Sequence, residues 1–235
     1  MRLLITSISL TISIAGYAQF DPAGGQSGSK AVHRDNASIS YWGDSVTLDL
    51  GFQRINASNP VKVTTCAETD ATGKADNRTV SLGDGGQATY YFERSINNIS
   101  GPDFVVFENG FEWSGGYFLE LGFVEVSSDG EKFVRFPSES AADTTNQIEN
   151  LAYMECNWYH NLAGKHQAPY GTPFDLEQLK DSVGLDVTHI SHIRVVDVVG
   201  SLNDSFASVD INGNKVNDPW PTDFASGGFD IDAIG

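Results

Sequence analysis

Apolar and polar residues alternate with a period of two along most of the chain, and clusters of Gly, Asn, Asp, Ser and Pro separate the alternating runs. Successive side chains of a strand face opposite sides of a sheet, so this pattern predicts antiparallel strands joined by turns. In SVTLDLGF (45–52), Val46, Leu48 and Leu50 alternate with polar neighbours, and GGQATYYFE follows the turn-rich SLGDGG. In YFLELGFVEVSSDGEKFVRF, Tyr117, Leu119, Leu121 and Phe123 share one face, and Asp129-Gly130 supplies the turn of a hairpin. PDFVVFE (102–108) and HISHIRVVDVVG (189–200) are apolar on both faces, which predicts central strands. GGFDIDAIG predicts a last strand at the end of the sequence.

Helix signals are few. Asp175 is a candidate N-cap with Gln178 three residues on, Leu176, Leu179 and Val183 form a stripe, and Gly184 ends it. Residues 137–172 form one long irregular insertion, and a connection of that length in a compact domain is usually functional or mobile. It carries Trp158, Tyr159, His160 and Tyr170. His160 and His166 read as surface or loop-packing residues. His189 and His192, three apart in a strand, point to opposite faces and do not share a metal.

Residues 1–18 have the form of a secretory signal: Arg2, a short apolar run, then small residues before Gln19. The expectation is export, to periplasm, cell surface or medium, of one domain over residues 19–235. No later stretch approaches the roughly 18 apolar residues of a membrane helix. The net charge of −17 argues against nucleic acid and anionic lipid as partners, since phosphate binding rests on Lys and Arg. In an oxidising compartment Cys66 and Cys156 can pair, which would close a loop of about 90 residues and contribute on the order of 4 kcal/mol. The alternative is two buried thiols.

GxSxG, HExxH and a phosphate-cradling glycine loop are all absent. A glycoside hydrolase needs two carboxyls about 5–10 Å apart, for which Glu108, Glu112, Glu120 and Glu125 are available; the balance favours a non-enzymatic role. Metal binding has better support. In DINGNKVNDPW, Asp210, Asn212, Asn214 and Asp218 follow positions one, three, five and nine of an EF-type loop, and the Val216 carbonyl stands at position seven. Gly213 stands at position four instead of six, and Pro221 replaces the closing Glu. A carboxylate from elsewhere would have to complete a calcium shell, with Glu108 and Asp230 the first candidates; the simpler alternative is an Asn-Gly turn. Asp197 falls on the apolar face of its strand and needs an arginine, a hydrogen-bond network or a cation. Asp230 and Asp232 share a strand face, where like charges repel unless something lies between them. Trp42, Trp113, Trp158 and Trp220 sit in or beside turn-rich stretches and are candidate ligand platforms, with Trp113 and Trp220 the best placed for exposure.

FVEVSSDGEKFVRF followed by ISHIRVVDV resembles the core strands of galactose-binding-like, discoidin-type jelly rolls. The wider set SLGDGG, GPDFVVFENGF, NLAGKHQAPYGTPFDL and NDPWPTDFASGGFDIDAIG is similar to a family of exported bacterial surface proteins of poorly defined function. The resemblance implies an all-β antiparallel sandwich of the jelly-roll type, with one long irregular insertion and a short helix, outside the cytoplasm. Fold alone carries no reaction. The functional expectation is a calcium-stabilised ligand-binding or surface-interaction module, with glycan as the leading ligand class. Because distantly similar surface proteins accompany outer-membrane vitamin uptake systems, a corrinoid is the second ligand class and an outer-membrane transporter a possible partner. A secreted glycan hydrolase and a structural adhesion domain are the readings from other classes.

Overall fold

The computed structural model describes residues 20–64 and 67–235. The expected leader and Cys66 lie outside the described residues. Two antiparallel sheets pack face to face. The first runs β1 (Val32–His33), β13 (Tyr170–Phe174), β5 (Phe104–Glu108), β15 (Asp230–Ile234) and β3 (Val80–Ser81). The second runs β12 (Leu162–Ala163), β8 (Gly122–Ser127), β14 (Ile190–Asp197), β4 (Gln87–Ile96) and β2 (Val46–Asp49), and β9 (Val134–Arg135) pairs with β8 alongside β12. Two small hairpins complete the set: β6 (Phe111–Trp113) with β7 (Gly116–Phe118), and β10 (Glu139–Ser140) with β11 (Tyr159–His160). This is an all-β sandwich. Among the described residues no helix is long and apolar enough to cross a membrane.

The alternation read along the chain has its expected consequence. Strand β4 buries Ala88, Tyr90 and Phe92, and β14 buries Ile193 and Val195, against Phe104, Val106, Phe174 and Ile231 of the opposite sheet. Strands β5 and β14 are each the middle strand of their sheet, as runs apolar on both faces require. Tyr117, Leu119, Leu121 and Phe123 enter a second core cluster together. Phe104, Phe136 and Phe174 form a buried aromatic triad with ring centroids 5.0 to 5.8 Å apart.

Three expectations change. The long stretch 137–172 is packed, not loose: Ala142, Met154, Cys156, Tyr159 and Leu162 bury themselves around the second cluster. The short helix is a single 3-10 turn, Leu176–Leu179, with Asp175 accepting from the Glu177 amide. Residues three apart eclipse in that geometry, so Leu176 and Leu179 are both buried while Val183 is left 86% exposed. Finally, β15 shifts register between Ile231 and Ala233. The bulge sends Ile231 and Ile234 into the main core and Ala233 into a third cluster with Val105 and Phe107. Asp230 and Asp232 therefore need nothing between them. Asp230 accepts from the Ser81 hydroxyl and Asn109 Nδ2, and Asp232 from the amides of Asp76 and Asn77.

Cys156 is buried with a free thiol, which burial pushes up to about 12. The expected bridge to Cys66 thus ends on a residue outside the description, and what is seen is the inert, apolar thiol of the alternative reading.

Phe174 sits in the aromatic triad at the end of β13, so Phe174→Ala should lower stability by about 3–5 kcal/mol in urea unfolding followed by tryptophan fluorescence.

Candidate functional site

A cavity of about 450 Å³ opens beside β13, between the N-terminal segment and the turn that joins β12 to β13. That turn depends on Gly164. Its φ is +78°, and a Cβ there would lie 1.9 Å from the Glu120 carbonyl oxygen, so no other residue fits. The tight turn aims the next two side chains, Lys165 and His166, inward; they are 2% and 1% exposed. Asp21 crosses over them from the N-terminal segment. Lys165 Nζ donates to Asp21 Oδ1 at 2.8 Å, and His166 Nε2 lies 3.3 Å from Asp21 Oδ2.

Electrostatics follow from this geometry. Burial pushes the Asp21 carboxyl up, but the hydrogen bond from His166 and the charge and hydrogen bond of Lys165 outweigh it and hold it well below the usual carboxylate range. Burial lowers both Lys165 and His166, with Asp21 opposing in each case. The Nε2 side of the His166 ring faces the Asp21 carboxylate. His166 Nδ1 is buried with no partner, and Thr172 Oγ1, from another lining residue, has none either. His160 stacks on Phe20 with centroids 5.4 Å apart and an interplanar angle of 18°. Asn161 and Gln178 complete the wall, joined by a 2.6 Å hydrogen bond. Lys30 stands exposed at the rim. A small volume therefore holds donors and acceptors of several kinds, two of them unused.

None of the four tryptophans lines this cavity. Trp42 packs on Phe107, and Trp158 lies partly buried beside Tyr159. Trp220, expected to be exposed, is 9% exposed: its Nε1 donates to Asp84 Oδ2 at 3.1 Å, which draws the ring inward. Only Trp113 is open, 65% exposed at the tip of the β6–β7 hairpin, with Phe111 on the same strand 49% exposed. His160 and His166 both pack against the N-terminal segment, within the loop-packing reading, and both also line the cavity. Asp21, Lys165 and Thr172 carried no signal of their own in the sequence; a Lys-His pair inside a loop bounded by Gly and Pro was the only hint.

The EF-like stretch divides. Asp210 accepts from the amides of Asn212, Asn214 and Ser140, so its oxygens organise a turn. Asn212 and Asn214 are exposed, and the Val216 side chain is buried in the second core cluster. Asp218 points the other way, into the protein, and accepts from the Leu121 amide at 3.0 Å. There the charges of Glu108, Glu120, Asp197 and Asp230 lie near enough for several of them, with Asp218, to act on one another. Asp197 solves its burial with main-chain donors, accepting from Phe229 N at 2.7 Å and Gly85 N at 2.9 Å. Among the described residues no three acidic, His or Cys side chains converge on one point as a finished metal group.

No protein-family model matches the chain, and a search of curated proteins finds no match. The functional argument therefore rests on geometry.

Replacing one partner of a buried ion pair strands the other charge, so Asp21→Asn should cost about 3–5 kcal/mol at pH 7 by chemical denaturation. Asp21→Asn combined with Lys165→Met should recover much of that loss. The folded carboxyl lies below its ordinary value of 3.8, so the wild-type contribution is present above that value and is lost as pH falls below it.

Proposed function

We propose that this protein is an exported ligand-binding module of the cell surface, that the cavity around His166 and Thr172 is its binding site, and that glycan is the leading ligand class. The observation that carries this reading is that His166 and Thr172, each with a buried polar atom (Nδ1 and Oγ1) that has no hydrogen-bond partner, line a cavity of about 450 Å³. That volume is within the roughly 300–1,000 Å³ range of small-molecule sites. Buried polar groups are normally satisfied, and those left bare in a free protein await a ligand or water. A sugar hydroxyl donates and accepts at once, so it suits a bare imidazole nitrogen beside a bare hydroxyl. The Phe20–His160 stack, Asn161, Gln178 and the rim Lys30 offer a flat face and further polar contacts for the rest of the ring.

Hydrolysis has less support. It needs one carboxyl held protonated beside one held ionised. Asp21 is held ionised, and the carboxyls that burial raises well above their usual range, Glu108, Glu120, Asp197 and Asp218, do not line the cavity. A corrinoid is the second reading, favoured by the exposed Phe111 and Trp113 of the hairpin, where a ring system too large for the cavity could lie flat.

Thr172→Val separates binding from folding. Removing a hydroxyl that has no partner should leave stability unchanged or slightly higher, while affinity for the best glycan from an array falls several-fold in calorimetry. Trp113→Ala should leave that affinity intact. Equal glycan affinity in Thr172→Val and wild type would remove the cavity reading. Corrinoid binding that is lost in Trp113→Ala alone would favour the hairpin instead.

A further inference from the structure

At the end of the sandwich where β5 finishes and β8 begins, three carboxyls lie inside the protein with no cation. Glu108 ends β5 and is 1% exposed; Glu120 precedes β8 and is 6% exposed; Asp218 lies in the segment after the 210–214 turn and is 4% exposed. The Leu121 amide bonds to Asp218 Oδ2 at 3.0 Å, which sets Asp218 beside Glu120 in the same turn of chain. The Gly110 amide bonds to Glu108 Oε2 at 2.7 Å, and a Cβ on Gly110 would meet both that oxygen and Leu119 Cδ2, so Glu108 borders the same stretch. The second oxygens are bare: Glu108 Oε1 and Asp218 Oδ1 are fully buried and have no hydrogen-bond partner. No lysine, arginine or histidine among the described residues forms an ion pair with any of the three.

We propose that Glu108 and Asp218, with Glu120 beside them, bind a divalent cation of the calcium type through these bare oxygens. Uncompensated buried carboxylates are very costly, so the fold that places three together needs something to offset their charge. A proton on Glu108 or Asp218 would remove one charge, whereas a cation would offset the charge of all three carboxylates. A hard cation satisfies both oxygens at once. Among the described residues no three acidic, His or Cys side chains form a finished cage, so main-chain carbonyls and water would have to supply part of the shell. Calcium takes six to eight oxygens in flexible geometry, with main-chain carbonyls and water filling what carboxylates do not, whereas magnesium demands a near-ideal octahedron. None of the three carboxyls lines the cavity at Lys165, and none belongs to the exposed turn at Asp210.

The test uses wild-type protein stripped with chelator. Adding calcium at a hundredfold excess over its Kd should raise the Tm by roughly 5–10 °C, with magnesium far less effective. Terbium should bind in calcium's place and luminesce on excitation of protein aromatics. Tyr159, whose hydroxyl donates to the Asn217 carbonyl next to Asp218, is placed to sensitise it. Glu108→Gln and Asp218→Asn should each abolish the calcium-dependent rise, and Asp210→Ala should keep it. If either acidic-cluster variant fails to fold, the wild-type terbium signal and its competition by calcium still decide the matter. Equal melting of wild type in chelator and calcium with no terbium luminescence would overturn the proposal. So would a calcium response lost in Asp210→Ala but retained in Glu108→Gln and Asp218→Asn.

Discussion

Buried carboxylates held by main-chain amides tie the loops of this sandwich to its sheets. With 31 acidic residues against 14 basic ones, the chain has too few cations to pair every carboxylate. Backbone N–H groups hold several of those inside. Asp197, on the inward face of β14, holds the 82–86 turn through Gly85 and the approach to β15 through Phe229. Asp84 holds Ile55 and the Trp220 indole, and Asp232 holds Asp76 and Asn77. Each bond satisfies a carboxylate and a loop amide together, which is how long irregular segments can be packed without leaving backbone groups bare. Gly228 shows how close the fit is: a Cβ there would lie 2.7 Å from Asp197 Oδ1.

Much of the architecture was legible because it rests on period-two burial. The two central strands, the 117–136 hairpin and the inward Asp197 could all be read from alternation alone. What alternation does not encode is a shift of register or a local hydrogen bond. The bulge in β15 separated Asp230 from Asp232, and the amides around Asp210 claimed the oxygens that spacing had offered to an ion. Trp220 was misplaced for the same kind of reason, because a single bond to Asp84 decides its direction.

The site was less legible than the fold. Its residues come from separate stretches of sequence, around residues 21, 30, 102, 160–166 and 172–178, which come together only in the fold. His160 and His166 were visible as residues but not as neighbours. Lys165 is turned inward by Gly164, which nothing in its own sequence position announces. Glu108 was legible as a carboxylate at a strand end, and Asp218 only from its EF-like spacing.

The Asp21–Lys165 pair decides what kind of ligand the cavity suits. Lys165 would make the cavity an anion trap if its charge were free, and Asp21 would make it a cation site. Bonded at 2.8 Å, they largely cancel, and the pair holds Asp21 facing His166 Nε2. The rest of the lining mixes neutral hydrogen-bonding groups with Asp175 and the rim Lys30, beside the stacked Phe20–His160 face. Under the proposed reading such a set would discriminate mainly by the positions of hydroxyls. In a protein whose surface repels anions at long range, a site that reads hydroxyl pattern is consistent with a neutral, polyhydroxylated ligand.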